Sequence, residues 1–192
     1  MSSIDHPHFI FKVCIIGSGG VGKTCIAKRL CFNTFETETK MTIGIGFYTY
    51  DLPILVDGRK ENLRLSIWDF GGQEQFKKLF PYYVNGANGL FMCFSLVNVQ
   101  SLLSLDWWYE QLAKYKVENV PRIVLGTKQD LIERLESKIR VEDAIIDSFL
   151  EKHNEKDFLR TSSKDNVNIN ECFKSLSKKV LDGIGLHYDK LL

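Results

Sequence analysis

No two of the five cysteines stand in a C-x-x-C pair, no apolar run approaches the length of a membrane helix, and neither sign of charge predominates. Each absence removes a class of protein. Cys14, Cys25, Cys31, Cys93 and Cys172 are odd in number and scattered, which speaks against a disulfide framework or a zinc site and fits a reducing cytosol. The longest apolar stretch, GLFMCFSLV at 89–97, is far below the roughly 20 residues of a membrane span and reads as a buried strand. With 25 basic and 24 acidic residues the net charge is +1, so the balance gives no reason to expect nucleic acid or an anionic membrane as partner. The opening MSSIDHPHF lacks the basic start and apolar run of a signal peptide. Ser2 stands where myristoylation needs glycine and the closing HYDKLL holds no cysteine, so no lipid anchor is expected. The expectation is a cytoplasmic protein, brought to a membrane by a partner if at all.

There is also no internal repeat, low-complexity tract or linker, and 44% hydrophobic with 26% charged residues is ordinary for a globular chain. One domain over 1–192, with its core at about 9–186, is expected. Apolar and β-branched runs at 9–16, 44–56, 62–68, 89–95, 121–126 and 157–161 alternate with helical spacing at 22–32, 74–84, 101–116, 141–153 and 169–184. Such alternation gives an α/β fold with a mostly parallel sheet. The runs 44–56 and 62–68 are the exception: DGRKEN joins them, and Asp57-Gly58 is a hairpin signal that makes one strand an antiparallel edge. Pro81 should kink or end the second helix.

What is abundant is glycine in one place. IIGSGGVGKT, residues 15–24, follows an apolar run and opens a helical stretch. Gly17 to Thr24 satisfies G-x-x-x-x-G-K-[ST], a loop whose backbone N–H groups cradle phosphate at a helix N-terminus. Lys23 would neutralise the β- and γ-phosphates and the Thr24 hydroxyl would meet Mg²⁺. Gly17, Gly19 and Gly22 also fit the dinucleotide pattern G-x-G-x-x-G, with Glu36 or Glu38 as the ribose acid. That alternative makes Lys23-Thr24 accidental and accounts for nothing downstream.

Downstream, LSIWDFGGQEQF places Asp69 at a strand end, followed by Gly72 and Gln73. A carboxylate there can hold Mg²⁺ through water, the Gly72 N–H can meet a γ-phosphate, and Gln73 can orient an attacking water. Standing alone, D-x-x-G is equally a turn with a helix cap. In IVLGTKQDL a second apolar strand ends in Thr127-Lys128-Gln129-Asp130, and the Asp130 carboxylate can accept both the ring N–H and the exocyclic amino group of guanine. By itself this is a helix cap beside a solvated lysine. RTSSKDN then brings Ser162, Ser163 and Lys164 to the other side of a base.

With these motifs in this order the chain resembles a Ras-superfamily small GTPase along nearly its whole length. GSGGVGKT resembles the family's phosphate loop, TIGIGF its first switch, WDFGGQE its second, and TKQD and SSK its guanine motifs. The resemblance implies a P-loop NTPase small G domain, with a six-stranded sheet carrying one antiparallel edge strand, and five helices. It also implies GTP and GDP binding with Mg²⁺, and slow hydrolysis. Nucleotide-binding residues would be Gly19, Gly20, Val21, Gly22, Lys23, Thr24, Cys25, Phe35, Thr42, Gly72, Thr127, Lys128, Asp130, Ser162, Ser163 and Lys164, with Phe35 against the guanine. Thr24, Thr42 and Asp69 would serve Mg²⁺, while Gln73, Lys23 and Thr42 would serve hydrolysis. Effectors, exchange factors and activating proteins would meet the switch loops at about 38–47 and 69–83.

Departures from the family pattern are Thr127 for asparagine, Ser163 for alanine, Thr39 for a switch tyrosine, and Phe70-Gly71 for threonine-alanine. The double glycine predicts a more mobile second switch. Residues 33–47 contain no arginine, so an arginine finger would come from a partner. A nucleotide-loaded binding module without useful hydrolysis and an adenine-using phosphotransferase stay open as alternatives. Trp107, Trp108 and Tyr109 are consecutive on a helix and cannot share one face, which leaves at least one as a half-buried rim residue or, less in keeping with ordinary burial, a partner contact. Lys77-Lys78 and Lys178-Lys179 read as solvated faces.

Overall fold

The computed structural model describes residues 9–37, 40–132 and 140–192. Strand β1 (Phe9–Gly17) is flanked by β3 (Arg59–Phe70) and β4 (Gly89–Ser95), with β5 (Arg122–Thr127) and β6 (Phe158–Arg160) continuing beyond β4. All these neighbours are parallel. On the other side β2 (Ile45–Val56) pairs antiparallel with β3 through the Asp57-Gly58 turn. The hairpin is tighter than DGRKEN suggested: β3 begins directly after the turn, and Asp57 (φ 49°) and Gly58 (φ 72°) both take left-handed backbone.

Among the described residues the sheet has seven strands rather than six. The added strand, β7 (Lys190–Leu191), pairs antiparallel with β2 at Ile54 and Leu55, so β2 is covered at one end instead of standing as the edge. The helices among the described residues also differ in number from the five expected: they are α1 (Lys23–Phe32), α2 (Glu74–Lys77), α3 (Phe80–Tyr83), α4 (Val99–Leu103), α5 (Leu105–Lys114), α6 (Asp143–Lys152) and α7 (Ile169–Gly183). Pro81 lies in the first turn of α3, so the 74–84 stretch divides into two short helices. Ser104 divides the 101–116 stretch into α4 and α5.

Alternation along β1 explains how the helices are held. Val13 and Ile15 face one layer, with Ile26 and Leu30 of α1 and Phe173 and Leu176 of α7. Cys14 and Ile16 face the other, with Leu102, Trp108 and Phe149. Every residue of β4 is buried, as a central strand covered on both faces requires. Trp108 is fully buried while Trp107 and Tyr109 are half-buried, in keeping with a rim. Lys77 departs from the solvated reading: it is buried, paired with Glu74 at 2.5 Å, and its Nζ sits 4.6 Å from the Trp107 ring centroid. Parallel strands bring the C-terminal ends of β1, β3, β5 and β6 to one side of the sheet. The loops that follow them meet where the chain order reverses across β1.

Candidate functional site

Those loops enclose a cleft of about 370 Å³. At one end the loop after β1 turns through left-handed backbone at Gly20 (φ 73°) and Gly22 (φ 100°), where side chains would be strained. Gly22 precedes α1 without a side-chain cap, so the first N–H groups of that ten-residue helix are left for whatever occupies the cleft. Gly19, Gly20, Gly22, Lys23, Thr24 and Cys25 line this end. Val21 does not: its side chain is buried beneath the loop. Lys23 is 5% exposed, and its ammonium donates to the carbonyls of Gly17 (2.9 Å) and Ser18 (2.7 Å). Burial pulls its pKa below the usual lysine value, and the nearby Asp69 carboxylate opposes that.

Three oxygen-bearing side chains from three elements converge beside Lys23. The Thr24 hydroxyl lies 2.8 Å from that of Thr42 and donates to Asp69 Oδ2 at 2.5 Å; Thr42 reaches the same carboxylate oxygen at 3.4 Å. Asp69 is fully buried, and burial raises its pKa against the hydrogen bonds from both threonines and the Lys23 charge. Its other oxygen, Oδ1, is buried without a hydrogen-bond partner. An orphaned carboxylate oxygen next to two hydroxyls suits a hard cation with its water, so the residues present fit Mg²⁺. Among the described residues no group of three or more histidine, cysteine or acidic side chains forms another candidate metal site.

The second switch comes close to the phosphate loop. A Cβ on Gly72 would lie 2.3 Å from the Gly17 carbonyl oxygen and 2.4 Å from the Gly19 nitrogen. Gly71 has a packing reason of its own. Its N–H donates to the Gly44 carbonyl at 2.9 Å, and a Cβ there would stand 2.8 Å from the Thr42 carbonyl oxygen. The glycine pair thus permits close approach of the second switch to the first switch at Gly71 and to the phosphate loop at Gly72. Gln73 lines the cleft, and its side-chain amide lies against Met41 of the first switch. Thr39 lies outside the described residues.

At the opposite end Phe35, Thr127, Lys128, Asp130, Ser163 and Lys164 line the cleft. Lys128 takes left-handed backbone (φ 63°) just ahead of a short 3₁₀ turn, Gln129–Leu131, that presents Asp130. Ser162 stands behind Asp130 rather than in the wall, donating to its Oδ1 at 2.8 Å and accepting from the Asp165 N–H at 3.0 Å. The buried Thr127 hydroxyl bonds the Val21 carbonyl of the phosphate loop and lies 2.9 Å from the Phe94 carbonyl at the end of β4. Threonine at this position therefore ties the Asp130 end of the cleft to the phosphate loop. Sequence reasoning missed Arg29, whose guanidinium reaches the Ser163 and Lys164 carbonyls from α1. Nothing in its immediate sequence marks it, since those acceptors are more than 130 residues away.

Fold and cleft together define a phosphate-loop nucleotide-binding protein of the α/β class. Residues 12–182 match the model of the Ras family, and the chain belongs to that family. It is 31% identical over 179 residues to "GTP-binding protein ypt1" of Schizosaccharomyces pombe, covering 92% of this chain and 83% of that one. To "Ras-related protein Rab-8" of Diplobatis ommata it is 33% identical over 174 residues (90% and 78%). To "Ras-related protein Rab-19" of Xenopus laevis it is 32% identical over 185 residues (96% and 83%). It is thus a Rab-like small GTPase, a molecular switch that hydrolyses GTP. Members of the family bind guanine nucleotide with Mg²⁺ and meet regulators and effectors. Among the described residues no helix is long and apolar enough to cross a membrane.

Proposed function

We propose that this chain cycles between GTP and GDP in the cleft, with guanine at the Asp130 end and the phosphates over Gly19 to Thr24. The observation that carries this reading is the placement of Lys23, Thr24, Thr42 and Asp69 at one end of a single cleft, with a serine-oriented Asp130 at the other. Asp130 Oδ1 is held by Ser162, which turns the carboxylate for the two N–H donors of guanine. Phe35 and Ser163 flank the base. Lys23 offsets charge on the transferred phosphoryl group, the Gly72 N–H meets its oxygens, and Gln73 with the Thr42 carbonyl orients the attacking water. Mg²⁺, when held by Thr24 and Thr42 with Asp69 behind water, supplies charge neutralisation at the phosphates. Gly19 is exposed and its absent side chain leaves space for an arginine from an activating partner.

The same reading assigns regulators and effectors to the switch loops. Met41 (75% exposed), Ile43 (83%) and Tyr82 (78%) present apolar surface there that the fold does not use, which suits a protein partner. The protein acts as one G domain in the cytoplasm.

The direct test is to purify the protein in Mg²⁺, denature it, and identify the released nucleotide by ion-pair chromatography. Stoichiometric GDP is the expected result. Adenine nucleotide, or none, would overturn the guanine assignment.

A further inference from the structure

The Arg29 guanidinium spans two chain segments that flank the base end of the cleft. Nε donates to the Ser163 carbonyl at 2.6 Å and Nη2 to the Lys164 carbonyl at 3.1 Å. Nη1 turns the other way, donating to the Asn33 backbone carbonyl at 2.9 Å and to Asn33 Oδ1 at 3.1 Å. Asn33 closes α1 in left-handed backbone (φ 52°), and its N–H returns to the Arg29 carbonyl at 3.0 Å. Two residues on, Phe35 lines the cleft, as do Ser163 and Lys164 across from it.

From this arrangement we infer that Arg29 is a positioning residue for guanine nucleotide retention, a clasp that holds the Ser163-Lys164 loop and the start of the first switch at a fixed spacing around the base. The inference rests on the guanine reading of the cleft. Its physical basis is the planar fork of arginine, whose donors point to both sides at once; a lysine ammonium is a single point on a flexible stem and cannot reproduce it. All the acceptors are neutral oxygens, so what Arg29 contributes is geometry and charge-assisted bonding rather than an ion pair. Arg29 does not itself line the cleft. Its effect reaches the nucleotide only through the two segments it holds, and at the base rather than the phosphates.

A simpler role, capping the C-terminal turn of α1, makes a different prediction. A cap stabilises the fold alike with and without nucleotide, whereas a clasp sets how fast nucleotide leaves. The experiment compares parent, Arg29→Met and Arg29→Lys by release of a fluorescent GDP analogue in Mg²⁺, by single-turnover GTP hydrolysis, and by thermal unfolding with nucleotide removed. Loss of charge-assisted bonds worth ~1.5–3 kcal/mol predicts release at least about tenfold faster in Arg29→Met. Arg29→Lys should fall between that variant and the parent. The change should fall on release more than on the hydrolysis step. Release at the parental rate in both variants overturns the clasp, as does a loss of nucleotide-free stability with no change in release. If Arg29→Met fails to fold, the intermediate release rate of Arg29→Lys carries the test by itself. Failure of the parent to retain any GDP would instead remove the guanine reading, and the two failures are thereby distinguished.

Discussion

Thr127 shows how one hydroxyl can serve where a larger polar side chain is usual. Buried between the carbonyls of Val21 and Phe94, it fastens the phosphate loop to the end of β4 and so to the strand that carries Asp130. Removing it leaves a buried carbonyl oxygen short of its donor, a loss of about 1–3 kcal/mol. Thr127→Val, nearly the same shape, should lower the urea midpoint accordingly and release GDP faster; Thr127→Ser keeps the donor and should release GDP close to the parental rate. Equal release from the two variants would mean that the tie to Val21 does not matter to the site. Gln73 works differently, because its side chain lines the cleft, lies against the exposed Met41 and bears little on folding. Gln73→Leu should slow single-turnover GTP hydrolysis by about tenfold or more if the role proposed for Gln73, orienting the attacking water, holds. Parental turnover in that variant, measured with and without an activating protein, would refute the assignment.

Two glycines separate the demands of an element from those of a loop. Gly17 ends β1 at φ +139°, and a Cβ there would stand 2.1 Å from the Cys93 carbonyl oxygen of the adjacent, wholly buried β4. Neither strand can yield, so Gly17→Ala should cost more than about 4 kcal/mol and abolish soluble, cooperatively folded protein. Gly72 is as crowded, but against the last carbonyl of β1 and the phosphate loop that follows it rather than against a central strand. Gly72→Ala should therefore keep a folded circular-dichroism spectrum while pushing the second switch away from Gly17 and Gly19 and slowing hydrolysis. If both variants unfold alike, that contrast between sheet and loop is wrong. Sequence reasoning reached these positions unevenly, for identifiable reasons. The runs that became β1, β4 and β5 were legible because apolar residues fill them, and Lys23, Thr24, Asp69 and Asp130 were legible because each sits at a strand or helix end in a spaced motif. Nothing comparable marks β7: Lys190 and Leu191 are too few for a period, and only pairing with Ile54 and Leu55 makes them a strand. For Gly71 the sequence suggested freedom, whereas the observed reason is contact with Thr42 and Gly44. Arg29 was invisible because local spacing says nothing about acceptors beyond β6.

Across the whole molecule the cleft draws its walls from residues 19 to 164, that is from loops following β1, β3, β5 and β6 together with the segment leading into β2. A nucleotide seated there would touch loops from widely separated parts of the chain at once, and the unfolded chain retains none of that arrangement. Binding must then stabilise the native state as RT ln(1 + [L]/Kd), about 2.7 kcal/mol when the ligand is a hundredfold above Kd. The nucleotide-free protein should thus have a clearly lower melting temperature, rising steadily with added GDP in Mg²⁺. Chelating the metal should reduce the gain, since Thr24, Thr42 and the unpartnered Asp69 Oδ1 would then be without the cation proposed for them. Differential scanning fluorimetry of stripped protein titrated with GDP, ADP and inorganic phosphate, each with and without EDTA, resolves these contributions. GDP should shift the transition in a Mg²⁺-dependent way and ADP far less, because only guanine offers Asp130 two donors. Equal shifts from GDP and ADP would show that the base end contributes nothing to recognition, and a GDP shift insensitive to EDTA would separate the threonine and Asp69 oxygens from the metal.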